Sequence, residues 1–291
     1  MLNGLPYSDE LNTAIEAVTA AGRAVIAFYD RDDAAIYTKP DGSPVTDADL
    51  AADNIIRAIL TERFPDDAIL TEEGADDPSR FTAQRCWVVD PIDGTDQFVR
   101  RTGEFDVFVA LVADGRPIVA ASRQPPTGRI CAATAGGGAW HRENDSAPWE
   151  WFTFPPLTNG QSPQLAASVW FGAPANALLL ERVAAQLGTP PPLLSTVGFG
   201  PRFFLPPHPR HALIGAFPDP ASEQAMGWEW DFAVGDLFLH EAGGVVSSLY
   251  GNLHRYNKPH LRNQGGLIAA SDPTLHRRLL AALAAELPCC R

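Results

Sequence analysis

Trp87-Val88-Val89-Asp90-Pro91-Ile92-Asp93-Gly94-Thr95 is an apolar run that ends in two carboxylates three residues apart, then a glycine and a threonine. The run predicts a buried strand, and a strand end is a rigid platform for polar side chains. Asp90 and Asp93 are hard oxygen donors of the kind that converge on divalent cations, and Pro91 limits the freedom of the connection between them. Gly94 lets backbone approach an anion closely. If a helix begins here, its free N–H groups would hold phosphate oxygens and Thr95 would place a hydroxyl beside the attacked phosphorus. Asp-Gly and Pro also form ordinary β-turns, so the stretch alone supports either reading.

The flanking acids decide between them. Upstream, Leu70-Thr71-Glu72-Glu73-Gly74 places paired carboxylates at the end of another short strand, and Val45-Thr46-Asp47-Ala48-Asp49 places acids in the first turn of a helix with Thr46 as cap. Downstream, Trp228-Glu229-Trp230-Asp231 opens a helix that closes at Glu241-Ala242-Gly243-Gly244. Each segment has a bland explanation in solvated charge or helix capping, and the four together strain those explanations.

Periodicity supplies the scaffold. Leu11, Ile15, Val18 and Val25 predict a first helix from about Asp9 to Tyr29 capped by Ser8, and Ile55, Ile56, Ile59 and Leu60 predict a second. Short apolar runs at 68–70, 87–89, 107–112, 118–121 and 130–133 are separated by closely spaced turn signals, which suits an antiparallel meander. After a polar, aromatic and proline-bearing stretch between Trp140 and Pro163, strands and helices alternate. A helix is expected over 176–187 and another after Ser271-Asp272-Pro273. The expected division is an N-terminal α+β domain, 1–150, with an antiparallel sheet and most of the acids, and a C-terminal α/β domain, 151–291, that supplies Asp231. Trp140, Trp149, Trp151 and Trp170 are expected to pack between the two.

The chain has 291 residues, is 45% hydrophobic and carries a net charge of −13, which fits a globular protein and excludes nucleic acid or an anionic membrane as partner. No export signal or membrane span is indicated, and a reduced cytoplasmic setting is expected. Cys86 and Cys131 read as core filler, and Cys289 and Cys290 as an exposed pair at the C-terminus. His141, His208, His211, His254 and His260 fall in expected loops, and only His208 and His211 are close in sequence, so a solvated loop is favoured over a zinc site.

The order and spacing of Asp90-Pro91-Ile92-Asp93-Gly94-Thr95, Trp230-Asp231, Glu241-Ala242-Gly243-Gly244 and Glu72-Glu73-Gly74 resemble the inositol monophosphatase family. That family belongs to the lithium-sensitive, metal-dependent phosphatases that include fructose-1,6-bisphosphatase and bisphosphate nucleotidases. Val45-Thr46 to Asp49 adds a weaker match, so the resemblance covers roughly residues 9–270. It implies a two-domain, layered α-β-α-β-α sandwich, a homodimer, and Mg²⁺-dependent hydrolysis of a small phosphate monoester, with two or three ions per site. It further implies that Glu72, Asp90 and the Ile92 carbonyl bind one Mg²⁺ and Asp90, Asp93 and Asp231 a second, with a weaker third ion near Glu72. Gly94 and Thr95 would hold phosphate, and Asp49 with Thr95 would help activate the attacking water. Glu72 is counted with Asp49 and Thr95 as catalytic, and Asp93 and Asp231 with Gly94 and Thr95 as substrate-binding.

Asp96-Gln97 after Thr95 adds an acid where the family usually has none, and Gln224 stands where inositol-selective members carry a glutamate, with Glu223 beside it. The longer, more basic 198–225 segment, with Arg202, His208, Arg210 and His211, suits a second anionic group on the substrate. Inositol phosphates, 3′-phosphoadenosine 5′-phosphate, histidinol phosphate and sugar phosphates are the candidate substrates. The haloacid dehalogenase pattern Asp-x-Asp-Gly-Thr has the wrong spacing and leaves Glu72 and Asp231 unexplained. A catalytically dead dimeric scaffold would show lost ligands, and none is lost.

Overall fold

The computed structural model describes residues 1–40, 42–155, 157, 162–169, 176–205, 211–215, 227–263 and 265–286. In chain order these form α1 (Ser8–Arg31), β1 (Ile36–Thr38), β2 (Pro44–Thr46), α2 (Asp47–Arg63), β3 (Ala68–Thr71), β4 (Arg85–Asp93), α3 (Thr95–Val99), β5 (Asp106–Ala113), β6 (Arg116–Arg123), β7 (Ile130–Thr134) and β8 (Gly138–Arg142). There follow β9 (Glu150–Phe152), β10 (Leu165–Ser168), α4 (Ala177–Leu187), β11 (Leu193–Ser195), β12 (Ala212–Gly215), α5 (Glu229–Glu241), β13 (Val245–Ser247), β14 (Leu267–Ala270) and α6 (Pro273–Glu286).

Strands β3 to β9 lie in sequence order in one sheet, parallel between β3 and β4 and antiparallel from there on, as the closely spaced turns predicted. A second sheet has the order β11-β10-β12-β14-β13, with β10 parallel to both its neighbours and β14 antiparallel to both of its own. Alternation along the strands decides which face packs where. Trp87, Val89, Val107, Val109 and Leu111 point to α1 and α2, while Cys86, Val88, Phe108, Ala110 and Val112 point the other way, to α5. In the second sheet Ala166, Leu213, Leu267 and Ala269 face α5, and Leu165, Ala167, Ile214 and Ile268 face α4 and α6. The result is the α-β-α-β-α sandwich, with α5 as the filling between the two sheets.

Both faces of each sheet are therefore buried, which is why these strands read as continuous apolar runs rather than alternating ones. Helix α5 is apolar nearly all round: Phe232, Ala233, Val234, Phe238 and Leu239 are each no more than 1% exposed. Full burial of each large side chain is worth about 1.5–3 kcal/mol. Its mid-helix carboxylate, Asp236, accepts Arg116 Nη1 and Nη2 at 2.9 Å each and the Tyr256 hydroxyl at 2.8 Å, and contacts His240 Nδ1 at 2.7 Å. Burial alone would raise Asp236; His240 and Arg116 outweigh it and hold the carboxyl below its ordinary value.

Several local expectations need correction. Helix α1 starts behind Tyr7 in a left-handed conformation, without a side-chain cap from Ser8. Asp272 caps α6, its Oδ1 accepting the N–H groups of Thr274 and Leu275. Trp140 and Trp149 pack on the α1 side of the first sheet and Trp151 is 56% exposed, because alternation on β8 turns Ala139 toward α5 and Trp140 away from it. His141 lies on β8, and His254 is 4% exposed rather than solvated. Cys86 and Cys131 are buried free thiols, as expected. Trp170, His208, Arg210, Glu223, Gln224, Cys289 and Cys290 lie outside the described residues.

Candidate active site

In a regular strand, residues three apart face opposite sides of the sheet, so Asp90 and Asp93 should diverge. They do not, because β4 carries a bulge. Asp90 pairs with Phe108 and Asp93 with Asp106, so three steps on β4 oppose two on β5. The extra residue turns both carboxylates to the α5 side, where Asp231 projects from the helix's first turn. One carboxylate oxygen from each of Asp90, Asp93 and Asp231 lies within 4.8 Å of the others.

The rest of the predicted set surrounds this trio. A cleft of about 250 Å³ is lined by Ser43, Pro44, Glu72, Asp90, Ile92, Asp93, Gly94, Thr95, Asp96, Thr196, Gly198 and Asp231. Gly94 caps α3 at φ 96°, and a side chain there would press on the Glu104 carbonyl, which explains the glycine. Thr95 Oγ1 lies 3.0 Å from Asp49 Oδ1 and 3.1 Å from the Ile92 carbonyl oxygen. Asp49 is 1% exposed, and its other oxygen accepts the Thr46 hydroxyl at 2.6 Å and the Thr46 N–H at 2.8 Å, the capping box of α2. Asp231 is oriented by the Trp228 N–H at 2.6 Å.

Glu72 lines the cleft but stands outside the trio. Its Oε1 is 2.6 Å from Lys39 Nζ, which also reaches Glu73 Oε1 at 2.7 Å. Lys39 sits at the turn between β1 and β2 and read from sequence only as part of a polar stretch. Asp106 was missed as well. Asp106, 3% exposed, sits opposite Asp93, and Arg202 Nε donates to Asp106 Oδ2 at 2.7 Å. Arg202 is thus held inside the protein rather than offered to a second substrate anion. The only sequence signal for Asp106 was an acid opening an otherwise apolar strand.

Crowded carboxylates in a dry site should resist ionisation, and these do. Burial, then the charges of Glu72, Asp93 and Asp231, push Asp90 well above the ordinary range. Burial, then Asp93 and Glu72, do the same to Asp231. Asp93 is pushed up to about 7 by burial and Asp106, with Arg202 pulling the other way. Burial lifts Asp49 to about 6 against its bonds from Thr46 and Thr95, and lifts Glu73 to about 7 against Lys39.

A divalent cation fits this donor set. Three carboxylates converge, and Asp90 Oδ1 is buried without a hydrogen-bond partner among the described residues. The model of the inositol monophosphatase family matches residues 7–169, more than half of the chain. The chain belongs to the inositol monophosphatase family.

Among similar proteins, the 3′(2′),5′-bisphosphate nucleotidase CysQ of Aggregatibacter actinomycetemcomitans is 38% identical over 132 residues, 45% of this chain and 49% of that one. The histidinol-phosphatase of Chlorobaculum parvum is 33% identical over 131 residues, 45% of this chain and 50% of that one. The chain thus spans about half the length of these relatives. The histidinol-phosphatase of Mycobacterium tuberculosis is 32% identical over 277 residues, 94% of this chain and 98% of that one. Of solved structures, CysQ from Bacteroides thetaiotaomicron superposes with a TM-score of 0.72 at 25% identity, over 91% of this chain and 97% of that one. The suhB protein of Bartonella henselae superposes with a TM-score of 0.74 at 19% identity, over 96% of this chain and 100% of that one, a likeness of fold alone. No helix of the described residues is long and apolar enough to cross a membrane.

Proposed function

We propose that this protein is a Mg²⁺-dependent phosphatase that hydrolyses a small phosphate monoester with water as nucleophile. The convergence of Asp90, Asp93 and Asp231 within 4.8 Å, beside the Thr95–Asp49 pair, carries the reading. Asp90, Asp93 and Asp231 would hold one Mg²⁺, and Glu72 with Asp90 and the Ile92 carbonyl another. Bound there, the cations would neutralise phosphate charge and lower the pKa of water.

The chain's own residues do the rest. Gly94, whose left-handed φ of 96° sets the turn into α3, and Thr95 would hold a phosphate oxygen through the N–H groups that open the helix. Thr95 Oγ1 donates to Asp49 Oδ1, which leaves its lone pairs to accept a hydrogen bond from the attacking water and to orient it. Asp49 is itself fixed by two bonds from Thr46, so the pair is rigid before substrate arrives. Lys39 occupies Oε1 of Glu72, and the second oxygen of that carboxylate would serve as the ligand.

Histidinol phosphate is our first choice of substrate, because the likeness to the Mycobacterium tuberculosis histidinol-phosphatase runs through the C-terminal half, and a 3′(2′),5′-bisphosphate nucleotide is second. Lithium sensitivity and a cytoplasmic homodimer complete the proposal. The test is phosphate release from histidinol phosphate, 3′-phosphoadenosine 5′-phosphate, an inositol monophosphate and a sugar phosphate, each with Mg²⁺ and with EDTA. Release from one compound that EDTA abolishes is expected. EDTA-resistant release would overturn the mechanism, and a protein that neither hydrolyses any of them nor binds metal is the dead scaffold.

A further inference from the structure

Behind Asp93 lies an ion pair that the reaction scheme above does not use. Asp106 stands directly across from Asp93 in the β4–β5 register, on the far side of the bulge. Arg202, from the short 3-10 turn Pro201–Phe204, reaches it through Nε at 2.7 Å. The two side chains are 12% and 5% exposed, so water screens neither charge effectively. Arg202 spends only part of its fork on Asp106, since Nη2 is buried with no hydrogen-bond partner among the described residues. A pair selected only as glue between layers would satisfy that donor or be replaced by apolar side chains, because burying an ion pair seldom gains stability.

The same chain segment shapes Asp93 from a second side. At Gly198, four residues before Arg202, an added Cβ would lie 2.3 Å from Asp93 Oδ2 and 2.7 Å from Oδ1. One short segment, 198–202, therefore supplies both the close approach to the Asp93 carboxylate and the cation that pairs with Asp106. We infer that Arg202 and Asp106 are positioning residues, an outer pair that fixes the Asp93 carboxylate in the orientation in which it meets Asp90 and Asp231. The inference rests on the reading of the trio as a metal site. Asp106 by itself would crowd Asp93 with a second buried negative charge; Arg202 cancels that crowding and makes the arrangement tolerable. Outer partners of this kind typically govern metal affinity by about 10- to 100-fold.

The test separates positioning from glue with the double variant Asp106→Asn plus Arg202→Gln, which keeps a hydrogen-bonding pair and leaves no unpaired buried charge. Mn²⁺ is the probe, followed by calorimetry and by its paramagnetic resonance spectrum. The expected result is a cooperative melt close to the wild type, Mn²⁺ binding weaker by about 10-fold or more, and a fall in kcat with little change in KM. Unchanged Mn²⁺ affinity and kcat in a folded double variant would overturn the inference while leaving the metal site standing. Failure of the wild type to bind Mn²⁺ would overturn the site reading itself. Should the double variant not fold, Arg202→Lys, which keeps the charge but loses the planar fork, decides: it must weaken Mn²⁺ binding, and wild-type affinity there refutes the role.

Discussion

Replacing Gly198 by alanine adds one methyl group next to the candidate metal site. Gly198 is not among the residues with positive φ, so alanine meets no backbone strain there. The new Cβ would lie 2.3 Å from Asp93 Oδ2, 2.7 Å from Oδ1 and 2.9 Å from Cγ, whereas ordinary contact begins near 3.4 Å. The carboxylate must therefore retreat by about 1 Å from the position in which it meets Asp90 and Asp231. A misplacement of that size costs about 100-fold in rate, or about 2.7 kcal/mol of barrier. The assay is initial rate against Mg²⁺ concentration for the substrate found in the panel, with a thermal melt to show that the fold survives. The predicted outcome is a loss of about 100-fold and a higher Mg²⁺ requirement with a near-normal melting temperature. Full activity with an unchanged Mg²⁺ curve would refute the placement of Asp93 in the chemistry.

Asp93→Asn should abolish turnover yet raise the melting temperature in EDTA, because it removes one of three mutually repelling carboxylates; a lower metal-free melting temperature would contradict the repulsion argument. Thr95→Val should lower kcat by about 10²- to 10³-fold with metal binding intact, and a loss of metal affinity instead would mean that the hydroxyl serves the ligands rather than the water. In EDTA, Asp93 and Glu73, raised to about 7, and Asp49, raised to about 6, bind protons more tightly folded than unfolded. The stability they contribute is complete below about pH 4 and lost as pH rises through about 7. The metal-free melting temperature should accordingly fall between about pH 5 and about pH 8, and saturating Mg²⁺ should flatten the fall. Lys258→Met leaves the fully buried Glu229 without its 2.8 Å partner and should cost about 3 kcal/mol in urea unfolding, most of it recovered by adding Glu229→Gln.

How far the sequence could be read depended on distance along the chain. Asp90, Asp93, Gly94 and Thr95 share one short stretch whose composition announces a strand ending in oxygen donors. Asp231, more than a hundred residues on, had only a helix-capping position to recommend it locally and joined the set by family resemblance. The bulge that brings Asp90 and Asp93 to one face has no letter of its own, since it is a matter of register with β5. Asp106 and Arg202 are 96 residues apart and meet only because the turn at 201–204 folds back over the start of β5. Lys39 was invisible for the same reason, reaching Glu72 across 33 residues. Helices α1, α2 and α6 were legible from their apolar stripes, and α5 from its opening acids and closing glycines. The runs at 68–70, 87–89, 107–112, 118–121 and 130–133 were legible as strands, but β8 and β9 lay in the stretch read as a domain boundary, and their tryptophans were misplaced on that account.

Helix α5 bears Asp231 at one end, Asp236 in the middle and a glycine-rich exit, while both sheets close over its flanks. Such a helix has no free side on which drift can accumulate. Related chains should therefore diverge from the outside inward, freely over the solvent faces of α1, α4 and α6 and scarcely at all along α5. Anyone redesigning the protein for heat or solubility has the two outer layers to work with, and the middle one sets the limit.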